Sequence, residues 1–237
     1  MNYDLKSIIK KFHIYGDLTG IKPYGSGHIH DTYCVAFEQS GARVRYIIQR
    51  INQNVFPNPE QVMKNIIRVT DHIRNKLENV AATDISRKVL TLVPTYNGDK
   101  YYVDGDGNYW RVYLMVEKAY TLDVLQTMEQ LYEVAKSFGN YQYQLADLSS
   151  PALFETIPDF HNGQKRYKTF LDVLKKDPLN RAAKVKAEID FLNEHDWIFD
   201  VLPKLVKEGK IPVRTTHNDT KINNVMIDDA SGKGICV

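Results

Sequence analysis

The chain changes its hydrophobic period near residue 118, and this limits its fold more than any other feature. Upstream, apolar residues recur at every second position. In "IKPYGSGHIHDTYCVAF", Tyr33, Val35 and Phe37 alternate as in a strand, and Gly25 and Gly27 interrupt the two extended stretches. A Gln39-Ser40-Gly41 turn leads into "RVRYIIQRI", a β-branched run suited to a buried central strand. One helix breaks this region. Val62, Ile66, Val69, Ile73 and Leu77 repeat at helical spacing, and Pro59 sits where helix starts tolerate it. Strand signals resume at "KVLTLVPT" and "KYYV", and continue past the "DGDGN" turn into "YWRVYLMVE".

After Glu117 the period becomes helical. Leu125, Met128, Leu131, Ala135, Phe138, Gln142 and Leu145 line a helix of about six turns. A loop, "SSPALFETIPDFHNGQKRY", separates it from a second helical stretch over 180–194, with Ala182, Val185, Ile189 and Leu192 on one face. The pattern predicts an α+β chain: a strand-rich lobe over residues 1–118 and a helix-rich lobe over 119–237, joined through Met115, Val116, Glu117 and Lys118. A cleft between two such lobes suits a small ligand.

Composition excludes several classes of partner. A formal net charge of +2 is too small to make nucleic acid or an anionic membrane the main partner. No run approaches the roughly 18 apolar residues of a membrane span, and "MNYDLKSIIKKFHIYG" lacks the apolar centre of a signal peptide. Cys34 and Cys236 form neither a metal nor a redox pattern. A cytoplasmic location is the expectation.

The stretch "THNDTKINN" concentrates the candidate chemistry. Phosphoryl transfer from ATP needs a carboxylate to accept the proton of the attacking hydroxyl, a carbonyl oxygen for magnesium and positive charge on the moving group. Asp219, Asn224 and Lys221 are of the right types, at the spacing of the catalytic loop of protein kinases, with His217 as a brace. The loop then enters an apolar strand, "NVMI", and a turn, "DDASGKG". The competing reading is a polar loop whose Asp and Asn side chains cap backbone groups.

Upstream, "YGSGHIHDTY" reads either as a glycine-containing turn over ATP phosphates or as a plain hairpin. Arg50 stands where kinases carry a phosphate-holding lysine, but Glu60 is the only acid before Asp71 that could partner it from the next helix. His28 and His30 lack a third metal ligand at a sensible spacing, and "DGDGN" lacks the calcium-loop glycine and glutamate and reads as a hairpin turn. Asp31, His161 and Arg166 are candidate substrate contacts; for the last two, a solvated surface turn is the alternative.

Together these stretches resemble the aminoglycoside-phosphotransferase-like branch of the protein-kinase fold. Within it, "GSGHIHDTY", "YIIQRIN", "VFPNPEQVMKNI", "DFHNGQKRY" and "THNDTKINNVM" are most similar to the N-acetylhexosamine 1-kinases, in the same order. The resemblance implies a bilobal kinase-like fold, with ATP and magnesium used to phosphorylate the anomeric hydroxyl of a small sugar. It implies Asp219 as base, Asn224 as a metal ligand, and Gly25, Ser26, Gly27 and His28 as the phosphate-covering loop. Met115, Val116 and Glu117 would hold the adenine.

The family's second metal-binding Asp follows the strand after this loop, and here that strand is "GICV" at the end of the sequence. The chain therefore reads as cut short, expected to bind magnesium poorly and to be inactive alone. Other acceptors are aminoglycosides, which would want a carboxylate-rich site, and choline or homoserine-type alcohols. From another class comes a nucleotide-binding module without catalysis.

Overall fold

The structure, a computed structural model, describes residues 3–25, 29–148 and 152–237. The chain opens with α1 (Leu5–Ile9), capped by the Asp4 carboxylate, which accepts from the Ser7 amide at 3.1 Å. Three long strands follow: β1 (Asp17–Pro23), β2 (Asp31–Gln39) and β3 (Ala42–Arg50). Next come α2 (Pro59–Asn79), a single turn α3 (Ile85–Lys88), and β4 (Tyr102–Val103) and β5 (Tyr109–Leu114). These strands form an antiparallel sheet in the order β1-β2-β3-β5-β4.

Strand parity decides what each face of this sheet carries. Val35 opposes Tyr46, and Ile48 opposes Val112. This outer face is closed by Ile8, Ile9 and Phe12 around the fully buried Trp110. The inner face takes the alternate residues. There Ile51, Tyr109 and Tyr113 meet Met63, Ile66 and Ile67 of α2, whose amphipathic stripe was legible in the sequence.

After β5 the chain forms β6 (Ala119–Thr121) and then α4 (Met128–Gln144). The α4 start is fixed by a capping box between Thr127 and Gln130. The chain ends in a 3-10 turn (Ile222–Asn224), β7 (Met226–Asp228) and β8 (Gly234–Cys236). A second antiparallel sheet has the order β6-β7-β8. Two compact units result: Met1–Thr156 with Thr215–Val237, and Ile157–Arg214. The anticipated boundary at residue 118 falls inside the first unit. The second holds α5 (Gly163–Lys176), a 3-10 turn (Ala182–Val185) running into α6 (Lys186–Glu194), and α7 (Ile198–Lys207). None of its helices contains a fully buried residue. No helix of the described residues is long and apolar enough to cross a membrane.

The α+β class is as expected, but several elements are not. "KVLTLVPT" makes only isolated bridges, Leu92 to Tyr113 and Thr95 to Phe12, rather than a full strand. β6 lies where the period had already turned helical. The buried positions on and just after α4 are Val134, Phe138 and Leu145, while Met128 is 73% exposed and Leu131 41%. α5 replaces part of an anticipated loop, because Asn162 caps it by accepting from the Lys165 amide at 3.0 Å. α7 has no counterpart in the sequence reading, since Pro203 inside it breaks the expected helical signal.

Gly234 lets β8 dock against α4. A Cβ there would meet Ser137 Oγ at 1.9 Å and the Glu133 carbonyl oxygen at 3.1 Å. Gly234→Ala is expected to lower stability by about 1–2 kcal/mol, as over-packing does. Urea denaturation monitored by circular dichroism checks this.

Candidate active site

Apolar anchors shape the segment after His217. Val225 and Ile227 are buried with Val134 and Phe138 of α4, and Ile222 packs against the same cluster. A 3-10 turn between the anchors leaves Asn224 outside the cluster. At the other end Asn218 adopts φ +66°, a left-handed turn that Asn tolerates better than most residues. The chain therefore bends at Asn218.

The polar groups of the loop converge on Asp219. Asn224 Nδ2 donates to Asp219 Oδ2 at 3.0 Å and to the Asp219 carbonyl at 2.8 Å. Lys221 Nζ lies 3.1 Å from the same Oδ2. His217 Nδ1 accepts from the Asp219 amide at 3.3 Å, and its ring meets Phe138 and Tyr141 edge-on at 5.5 and 5.6 Å. Burial lowers the His217 pKa, which favours the neutral ring that this acceptor role needs. The structure thus brings together Asp219, Lys221, Asn224 and the bracing His217.

A second feature forms at residues 115–118. The Met115 amide donates to the Arg45 carbonyl at 3.0 Å, and Val116 is buried. Arg45 grips the Glu117 carboxylate with two nitrogens, Nε at 2.8 Å and Nη2. Arg87 then clips this segment to β7. Its Nε donates to the Glu117 carbonyl at 3.1 Å, and Nη2 to the Lys118 carbonyl at 2.9 Å and to Asp228 Oδ1 at 2.6 Å. A cavity of about 600 Å³ opens on the inner face, lined by Gly20, Lys22, Cys34, Ala36, Arg45 and Glu117. A larger one, about 890 Å³, is walled by aliphatic residues of α2 and by mainly polar and aromatic residues of α4. It meets the loop only at residues 215–217, so none of Asp219, Lys221 and Asn224 lines it. The smaller cavity does not include those three residues either, and it reaches the 115–118 segment through Glu117.

Arg50 and Asp31 lie elsewhere. They are register partners on the outer face, where Arg50 Nε donates to Asp31 Oδ2 at 2.7 Å and the guanidinium sits over the Tyr3 ring. Burial would raise the Asp31 pKa, but hydrogen bonds from Arg50 and Tyr3 outweigh it and hold the carboxyl below its usual range. Arg50, expected to hold phosphates, instead has its carboxylate on β2 rather than on α2, and Asp31, expected to touch substrate, is engaged there. Glu60 takes the Tyr109 hydroxyl at 3.4 Å. The inner-face neighbour of Arg50 is Gln49, which accepts from Arg111 of β5. The sequence reading passed over both Gln49 and Arg111. Parity along "RVRYIIQRI" held the signal, since Arg50 shares a face with Ile48 and Gln49 with Ile47.

Gly25 has φ +82°, a conformation that suits glycine at the start of the β1–β2 turn. The other phosphate-loop candidates, Ser26, Gly27 and His28, lie outside the described residues. His161 and Arg166 belong to the second unit. There Arg166 donates to the Phe160 carbonyl from Nε at 2.7 Å, and the His161 ring packs edge-on against Phe160. Arg166 sits in the first turn of α5 rather than in a loop.

A model of the phosphotransferase enzyme family matches residues 20–237. The chain belongs to that family. A crystal structure of spectinomycin phosphotransferase, in complex with ADP and spectinomycin, is similar over 92% of this chain and 62% of that one. Identity is 15% and the TM-score is 0.49. The chain thus spans less than two thirds of that protein's length.

Within this family member, His30 offers a pH test. Its Nδ1 accepts from the Asn52 amide at 3.1 Å and its ring stacks on Phe56. Burial, then the positive charges of Arg111 and Arg50, lower its pKa to about 4. A histidine depressed in the folded state contributes stability that is complete above its unfolded pKa of about 6.5. That stability is lost as pH falls toward the folded value. Going from about pH 7 to about pH 4.5 should cost roughly 2 kcal/mol after allowance for partial exposure, with His217 acting in the same direction. His30→Asn, which keeps an acceptor but takes up no proton, should flatten that slope in urea titrations at the two pH values.

Proposed function

We propose that this protein transfers a phosphoryl group from ATP to a hydroxyl of a small molecule. The acceptor in this reading is the anomeric hydroxyl of an N-acetylhexosamine. The observation that carries the transfer is the Asn224 amide turned onto the Asp219 carboxylate at 3.0 Å, with Lys221 on the same oxygen. The acceptor class rests on the stretches that resemble N-acetylhexosamine 1-kinases.

Each residue has a task. Asp219 orients the acceptor hydroxyl and takes its proton as the oxygen attacks the terminal phosphorus. Lys221 brings positive charge to the side of Asp219 where the migrating group passes. His217 holds the loop's turn as a neutral acceptor. Glu117 lines the cavity that would take the adenine, and Met115 and Val116 lead into it along the same segment.

Magnesium fits the donor set in one respect. The Asn224 NH2 group is committed to Asp219, which leaves its carbonyl oxygen, a hard neutral donor, outside those bonds. Among the described residues no three His, Cys, Asp or Glu side chains converge on a metal-sized point. That pattern matches an ion carried by phosphate oxygens and water with few protein ligands. Bound there, magnesium would neutralise charge on the phosphates.

In a form of the protein that turns over, Asp219→Asn is expected to lower the rate by about 10²- to 10⁴-fold. Wild-type turnover in that variant would remove Asp219 from the role of base. ADP release should be compared across N-acetylglucosamine, N-acetylgalactosamine, aminoglycosides, choline and homoserine. Activity is expected on the N-acetylhexosamines. Turnover confined to a non-sugar would overturn the acceptor and leave the phosphotransferase assignment standing.

A further inference from the structure

The inner sheet face carries a cation that the fold itself does not neutralise. Arg111 donates from Nε and Nη2 to one neutral acceptor, Gln49 Oε1, at 3.0 and 2.5 Å. The Gln49 amide is held in turn, donating to Thr32 Oγ1 at 2.8 Å. Arg111 Nη1 is buried without a hydrogen-bond partner; among the described residues Thr95 Oγ1 is the other such atom, and it is uncharged. Arg45, Arg50 and Arg87 each have a carboxylate, whereas no ion pair includes Arg111 among the described residues. A buried charge held only by a neutral group costs stability unless something else compensates it. Proteins keep such arrangements mainly at functional sites.

The surroundings indicate what compensates it. Arg111 and Gln49 are register partners on the face that carries Cys34, Ala36 and Arg45, which line the cavity beside Glu117. Arg111 is also close enough to His30 to depress that imidazole's pKa. His30 lies in the β1–β2 connection, which the Tyr24 amide closes by donating to the Thr32 carbonyl at 3.0 Å. The guanidinium therefore sits near the base of the turn, on the sheet face that also carries the cavity, without lining the cavity itself. Gln49 occupies Nε and one hydrogen of Nη2, so both hydrogens of Nη1 and one of Nη2 remain. That edge is a fork matched to two oxygens of one phosphate.

We propose that Arg111, held in place by Gln49, is the cation that binds the non-transferred phosphates of the nucleotide, in place of Arg50. The assignment rests on the phosphotransferase reading. It moves the phosphate-binding charge from the third strand to the fifth, and from one sheet face to the other.

Calorimetry on the chain, with ATP and with adenosine, tests it. Wild type should bind ATP more tightly than adenosine. Arg111→Met should weaken ATP binding by about 10- to 100-fold and leave adenosine unchanged, as expected for loss of charge-assisted hydrogen bonds. Arg111→Lys keeps the charge but loses the fork. If Arg111→Met does not fold, Arg111→Lys reads the same point, with ATP binding weaker by about three- to tenfold. Unchanged ATP affinity in the variant that folds overturns the proposal. So does an equal loss for ATP and adenosine, which marks a structural role, or a selective loss of ATP in Arg50→Met instead. A wild-type chain that binds neither ligand also overturns this assignment, whereas the phosphotransferase reading is tested separately by the Asp219→Asn comparison.

Discussion

The candidate site depends on the burial of Val225 and Ile227 against Val134 and Phe138. Two aliphatic residues, two positions apart, commit β7 to one face and one register. Everything polar in the preceding turn is then set out on the other side. Asn224 is flanked directly by Val225, so its amide has little freedom to choose a partner other than Asp219. His217 uses the same helix from above, resting its ring against Phe138 and Tyr141. An apolar cluster of ordinary composition thus fixes a charged constellation to within hydrogen-bonding distance, a precision that flexible polar loops do not reach unaided.

Legibility in the sequence followed the strength of periodicity. The sheet strands and α2 were readable because alternation and helical spacing persist there over many residues. β6 and the bridges near Leu92 and Thr95 were not, since two- or three-residue pairings carry no period of their own. α5 hid behind Gly163 and Asn162, which look like loop residues until Asn162 is seen to cap the helix. The grouping of Asp219, Lys221 and Asn224 was visible because these residues are close in sequence, although spacing alone left a capping loop open. The Arg45 to Glu117 and Arg87 to Asp228 pairs join residues 72 and 141 apart, and no local pattern announces them.

The case of Arg50 shows how strand parity bears on reasoning by position. A cation on the third strand was the natural candidate for phosphate, and its residue type was suitable. A strand changes faces at each step, however, so a one-residue difference decides between cavity and core. Arg50 shares the face of Ile48, and its charge is absorbed by Asp31 and Tyr3. On the inner face the chain carries Gln49, uncharged, with Arg111 beside it. On this face the third strand bears an amide and the fifth the charge, and the two are register partners on adjacent strands.

The Arg87 clip has a mechanical meaning. One guanidinium binds two backbone carbonyls of the segment after β5 and a carboxylate at the end of β7. Hydrogen bonds tolerate displacements of a few tenths of an ångström before they weaken steeply. The segment beside the cavity and the strand that follows Asp219 must therefore travel as one body. Any opening motion has to hinge elsewhere, so the distance between the place where a base would rest and the place where a hydroxyl would be deprotonated stays nearly constant through it.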